Sequence, residues 1–185
     1  MAMTNVFTGS NGTLTLADED TPEGRDAKAI TDAYELLTVG RLTDVEVHVR
    51  TDLAEFHEVG RRHATSLHPG NVHVGGRVGR AYVNGALLFL LLGRGGSSTN
   101  PPEPYVQPTF NIALALNDPA VPGSTATLEL KGVKFENWAS TMPEEDFVVE
   151  DLTFKALTVS VVDKEAPAAG GQAVAKAPGF PQAQA

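Results

Sequence analysis

The sequence predicts a mainly β protein: a two-sheet β-sandwich or barrel with a flanking α-helix. Three observations carry this. Apolar and polar residues alternate with period two along most of the chain, the mark of half-buried strands. The turns between those runs are rich in Gly, Pro, Asn and Asp, as at Asn117-Asp118-Pro119 and Val121-Pro122-Gly123. One short run, residues 86–92, is apolar at every position and is bounded by Asn84 and Gly93, which reads as a packed helix with a cap and a stop.

The elements follow in chain order. Thr13-Leu14-Thr15-Leu16 is a short strand. A helix is expected over 26–37, where Ala27, Ile30, Tyr34 and Leu37 have helical spacing, with its end running towards a strand at 36–38. In 44–50, DVEVHVR, Val45, Val47 and Val49 share one face, and Asp44, Glu46, His48 and Arg50 share the other. Residues 51–71 are long and polar between two strands, and loops beyond about 12–15 residues are usually functional or mobile. They are expected to form an extended hairpin or loop that reaches a neighbouring copy of the chain, with Asp52, Glu55, Glu58, Arg61 and Arg62 pairing between copies. His68 and His73 flank Pro69-Gly70-Asn71, which suggests loop positions. A strand then leads into the 86–92 helix. FNIALAL (110–116) sets Phe110, Ile112, Leu114 and Leu116 against Asn111, Ala113 and Ala115. TATLELK (125–131) sets Ala126, Leu128 and Leu130 against Thr125, Thr127, Glu129 and Lys131. The run 149–163 changes phase between Ala156 and Leu157, which predicts a bulge or a strand shared between two sheets. Residues 1–163 therefore form the folded domain. Residues 164–185, mostly Ala, Gly, Pro and Gln with Phe180 as the one aromatic, read as a flexible tail.

Composition excludes several classes of function. The chain has 185 residues and is 42% hydrophobic, enough for one domain with a real core. A net charge of −9 argues against a protein that grips nucleic acid by neutralising phosphates. There is no cysteine, so disulfides, thiolate zinc sites and cysteine nucleophiles are excluded. No basic region followed by an apolar core opens the sequence, so a signal peptide is not expected.

The stretch 76–95, GRVGRAYVNGALLFLLLGRG, has three readings. As a phosphate loop it fails, because neither G-x-G-x-x-G nor Gly-Lys-Ser/Thr is complete. As a membrane span it fails, because seven apolar residues stand against the roughly 20 needed. It is therefore a packing helix. A helix apolar all round is covered on several sides. One side belongs to its own sheet, and Leu87, Leu88, Phe89 and Leu91 are candidates for contact with a neighbouring subunit; the alternative is a fully covered core helix in a monomer.

The five histidines, His48, His57, His63, His68 and His73, fall within 26 residues, but HEVGRRH places Arg61 where a zinc-binding helix needs its second histidine. A solvated polar hairpin is the better reading, and no metal or cofactor is expected. The acids of ADEDTPEG and MPEEDF lie in predicted turns, where carboxylates stay solvated and poor at general acid–base work. G-x-S-x-G is absent. No pattern argues for an enzyme.

Residues 12–163 resemble the tail tube proteins of tailed bacteriophages and related contractile injection particles. The likeness is densest in VGRLTDVEVHVRTDLAEFHEVG, LHPGNVHVGGRVGRAYVNGALLFLLLG and GVKFENWASTMPEEDFVVEDLTFKALTVSVVD. A family-like pattern falls on Pro69, Gly70, Asn71, Gly76, Arg80, Ala81, Asn84 and Gly85, just before the leucine-rich helix. The resemblance implies a structural subunit rather than an enzyme. Six copies would form a ring whose inner sheets join into one barrel, and rings would stack head to tail into a hollow tube. Implied partners are further copies, a tape-measure protein, sheath, baseplate hub and tail terminator proteins, and double-stranded DNA in transit without specific binding. No membrane insertion is expected. The implied location is the virion tail, with assembly in the host cytoplasm. Within such a tube, strand alternation sends Asp44, Glu46, His48, Asn111, Thr127 and Glu129 to the lumen, giving a polar, net-negative bore. Two alternatives stay open. One is the tube, or a secreted tube-like effector, of a cell-borne injection system. The other is a monomeric β-sandwich binding module, for carbohydrate for instance, against which the low aromatic content counts: one Trp, three Tyr and eight Phe.

Overall fold

A computed structural model describes residues 7–97, 106–117, 123–165 and 174–176. The expected turn residues 118–122 and Phe180 lie outside these. After a single 3-10 turn come β1 (Gly12–Asp18), α1 (Pro22–Ala33), β2 (Leu42–Phe56), β3 (Ser66–Ala81) and α2 (Ala86–Leu92). They are followed by β4 (Phe110–Asn117), β5 (Thr125–Thr141), β6 (Val149–Ala156), β7 (Thr158–Glu165) and β8 (Val174–Lys176). Every pairing is antiparallel, in the order β1-β4-β5-β6-β3-β2, with β7 on β5 and β8 on β7.

One long ribbon organises the sheet. β6 and β7 are a single path antiparallel to all of β5, from Thr141↔Val149 to Thr125↔Lys164. β4 and β1 extend the first half of β5, while β3 and β2 extend β6, so the ribbon joins two lobes. The ribbon bends where Gly132 has φ +64° and the Leu157 N–H donates to the Lys131 carbonyl at 2.9 Å. This is the phase change expected at 156–157: the last long strand passes from one lobe into the other. β5 adds register shifts opposite Phe110–Ile112 and between Phe135 and Asn137. They keep Leu130, Val133 and Phe135 on the core side of the bent strand, as β-bulges can do.

The core lies between the two lobes and the helices. Leu14, Ile112, Leu130 and Phe110 from one lobe share it with Val78, Leu152, Phe154 and Phe135 from the other. The Phe110 and Phe135 rings meet at 5.0 Å. α2 sends Ala86, Leu87 and Leu90 into this core.

Several expectations are corrected here. The first helix starts at Pro22, not 26, because Thr21 caps it (its side-chain oxygen accepts the Gly24 N–H at 3.0 Å) and Pro22 suits the first helical position. It ends at Ala33, and residues near Thr38 bridge to Thr15. His68 and His73 sit within β3, not in a loop, since Pro69-Gly70-Asn71 falls at a register shift in a continuing ladder. Leu87 is 1% exposed inside its own chain's core, so it cannot meet a neighbouring subunit. Two of the residues assigned to a flexible tail, Lys164 and Glu165, belong to β7, and Val174–Lys176 pairs with that strand. Strand addition needs only backbone groups, which an Ala-rich segment supplies without apolar surface.

Candidate assembly surfaces

Each lobe has one side on the core and one largely polar side away from it. Rungs of the ladder define it. Thr15, Ala113, Glu129 and Ser160 form one row in the first lobe, and Thr13, Ala115 and Thr127 belong to the next. In the second lobe Glu46, Arg77, Thr153 and Asn137 form a row, beside Asp44, Gly79 and Asp151. Asp44, Glu46, His48, Asn111, Thr127 and Glu129 all fall on this side, opposite the core. Asn111 also braces the bend, because its Oδ1 accepts the Gly132 N–H at 3.1 Å.

The two halves of this wall differ in charge. The first is built of hydroxyls and small side chains with Val162, and carries Glu129, Lys131 and Lys164. The second carries paired charges. Arg77 donates to Asp151 at 2.7 Å and lies 3.7 Å from Asp44. The Asp151 hydrogen bond, then the Asp151 and Asp44 charges, hold its guanidinium above its ordinary pKa. Lys155 meets Glu136 at 2.6 Å, and Asp52 lies 3.0 Å from His73 and 3.5 Å from Arg50. Sequence reading missed Arg77, Asp151 and Lys155 on this wall. The signal was present: Val74 and Val78 alternate with Arg77, and Leu152 and Phe154 with Asp151, Thr153 and Lys155.

A buried polar node ties the wall to the helix. Arg80 (2% exposed) donates from Nε to Oε1 of Glu150 (0% exposed). Trp138 Nε1–H donates to Glu150 Oε2 at 2.8 Å, and Arg80 Nη2 donates to the Asn84 carbonyl at 3.2 Å. Asn84 Oδ1 in turn accepts the Ala86 N–H at 3.2 Å. The expected N-cap residue therefore does satisfy a helix donor, although Gly85 is the boundary residue. β3, β5, β6 and the start of α2 are pinned at one point, with the buried charge paired as burial requires.

The helices carry a second tie. Glu23, in the first turn of α1, accepts from Lys134 and from Thr109, both at 2.8 Å. The Lys134 and Thr109 hydrogen bonds lower its pKa. Arg94 donates twice to Asp26, at 2.9 and 2.8 Å, and the Asp26 contact raises its pKa. Tyr34 and Phe89 stack between α1 and α2 at 5.9 Å, while Leu88, Phe89 and Leu91 remain half-buried.

The segment 51–71 is a hairpin arm. β2 and β3 stay paired out to Phe56↔Ser66, leaving 57–65 as the tip. Asp52, Glu55, Glu58, Arg61 and Arg62 ride on it, with local contacts of Glu55 to His57 (3.3 Å) and Glu58 to Arg61 (3.6 Å). Val49, Leu53, Leu67 and Val72 are exposed along the arm. The core-side stripe of the strands thus continues past the core, with no cover from its own chain. Among the described residues no group of three or more His, Asp or Glu could hold a metal, and no helix is long and apolar enough to cross a membrane.

No protein-family model matches the chain, and no curated protein matches its sequence. Solved structures do match its fold. A chain from the sheath–tube complex of an extracellular contractile injection system, PVC, in its extended state, has a TM-score of 0.57 at 11% identity, covering 86% of this chain and 93% of that one. A chain from the anti-feeding prophage cap (the tube terminating cap) gives 0.56 at 14% identity, over 87% and 98%. The SPP1 tail tube gives 0.53 at 10% identity, over 84% and 78%.

Proposed function

From the premise that this chain has the tail-tube fold, we propose that it is a structural subunit of a tail-type tube, with copies joined in six-fold rings that stack into a hollow conduit. The observation that supports this most is the sheet itself: each lobe turns one side to the shared core and a largely polar side away from it. Such a side suits the wall of a channel. The polar side of one lobe then faces the lumen, with Asp44, Glu46 and His48 of β2, and Asn111, Thr127 and Glu129 of β4 and β5, as the candidates. Glu129 stands on the same side as Lys131 and Lys164, while Arg77, Lys155 and Arg50 of the other lobe each lie beside an acid. A wall whose cations are mostly matched by acids holds phosphates weakly, whereas a wall of unmatched cations would grip a polyanion.

The free side of β2 and the arm it carries supply edges for joining copies, which a closed barrel would satisfy. Leu88, Phe89 and Leu91 on α2 and the charged residues of the arm are the remaining contact candidates. On this reading the tube sits in a virion tail or an injection particle, assembles in the host cytoplasm, carries DNA in the first case, and meets tape-measure, terminator and baseplate proteins, with a sheath where the tail contracts. Neighbouring genes for sheath, tape-measure and baseplate separate those settings. The direct test is electron microscopy of the purified protein at rising concentration. Six-fold rings or tubes are expected; a strict monomer at millimolar concentration across several salt conditions overturns the proposal. A map of the tube with Val45, Val47, Phe110 or Leu128 lining the bore, or with a bore ringed mainly by lysine and arginine, overturns the lumen assignment.

A further inference from the structure

We infer that the turn between β5 and β6 is the receptor for the β2–β3 tip of a second copy. This rests on the tube reading and names the contact by which one ring holds the next.

The two surfaces lie at opposite ends of one strand. β3 pairs with β6 from Val74↔Ala156 to Ala81↔Val149, so the 142–148 turn is at the Ala81 end. The arm's tip lies beyond Ser66, at the other end of this 16-residue strand. At about 3.3 Å per residue the strand sets them roughly 50 Å apart.

Each end has what the other lacks. At the turn, Met142 and Phe147 are 76% and 80% exposed. Tyr82 and Val83, also exposed, lie alongside, because the Tyr82 N–H donates to the Val148 carbonyl at 2.8 Å. Between Met142 and Phe147 the chain carries Glu144, Glu145 and Asp146 and no base. Asp146 is turned back to accept the Phe147 N–H at 2.7 Å, which fixes the aromatic's backbone. At the tip, Phe56 and Val59 are exposed, and Arg61 and Arg62 stand side by side, with the acids Glu55 and Glu58 engaged locally with His57 and Arg61. Glu58 lies 3.6 Å from Arg61, which leaves the Arg62 charge unmatched at the tip. In a chain of net charge −9, an apolar tip with two adjacent arginines and an apolar turn with three acids and no base are complementary.

Complementary patches at opposite ends make a heterologous contact. Every copy then offers one tip and one turn, and the contact propagates along a line instead of closing on itself. The apolar groups supply the buried area, and the charges set direction and register.

Two experiments decide it. Arg61→Glu/Arg62→Glu and Glu144→Arg/Glu145→Arg are each expected to keep the wild-type melting curve and still form rings. Each should cut the elongated fraction about ten-fold, and combining all four should restore elongation. Independently, the chain has no cysteine, so Val59→Cys/Phe147→Cys can cross-link only between copies. Oxidised assemblies should give a ladder of linked chains on a non-reducing gel. Tubes that elongate normally in both charge-reversed variants, or a cysteine pair that yields only monomer from intact tubes, overturn this contact alone. Wild-type protein that forms neither rings nor tubes overturns the tube reading and this contact with it.

Discussion

Arg80 and Glu150 show how one buried pair sets both a strand and a helix. Removing one member leaves the other charged and unpaired in the core, which costs about 3–5 kcal/mol. Glu150→Gln should therefore lower the melting temperature sharply, although Gln can still accept from Trp138. Arg80→Met combined with Glu150→Gln should be milder than either change alone, because no charge is stranded. A thermal-melt double-mutant cycle reads this coupling directly. Glu23 gives a pH signature. Its pKa is lowered in the fold by the Lys134 and Thr109 hydrogen bonds, so its contribution is present above the ordinary carboxylate value of 4.5 and fades as pH falls through the lower folded value. Glu23→Gln is expected to destabilise at pH 7 by less than about 1 kcal/mol, since the pair is half exposed, and to match wild type in strong acid. Chemical denaturation at a series of pH values checks it.

At the scale of elements, the bend at Gly132 is the critical turn. Its positive φ disfavours any side chain, and a Cβ there would lie 2.5 Å from Leu157 Cδ1. Gly132→Ala should destabilise by about 1–3 kcal/mol and disturb both lobes together, seen as a single shifted unfolding transition. This bend was half legible in the sequence. The phase slip at Leu157 announced it from one strand, but its partner Gly132 sits in GVKFENWAST, where two register shifts hide the alternation and the second half of β5 goes unread. The arm was half legible for a different reason. Beyond Val49 neither side of the hairpin meets the core, so burial no longer sorts residues by face, and Pro69-Gly70-Asn71 imitates a turn. The wall residues read from DVEVHVR, FNIALAL and TATLELK do share one side, because each strand has one side on a packed core. Arg77, Asp151 and Lys155 depend on register between distant strands, which one sequence does not display. Leu87 shows the converse limit: an all-apolar helix says that it is covered, not by whom.

For the whole molecule, the arm can be removed without touching the core. Deleting residues 55–65 should leave a folded chain with native melting that forms rings but not long tubes; tubes of normal length would show that stacking does not use the arm. Electron microscopy alongside calorimetry distinguishes loss of assembly from loss of folding. The continuous β5/β6–β7 ribbon bears on how this fold behaves under load. Both lobes hang on the same two antiparallel strands, so a pull that separates the lobes must open their shared core and is also carried by the backbone and rungs of the ribbon. The subunit is mechanically one girder with a fixed crook. Because core and ribbon join the two lobes along their length, it should rupture in a single force event.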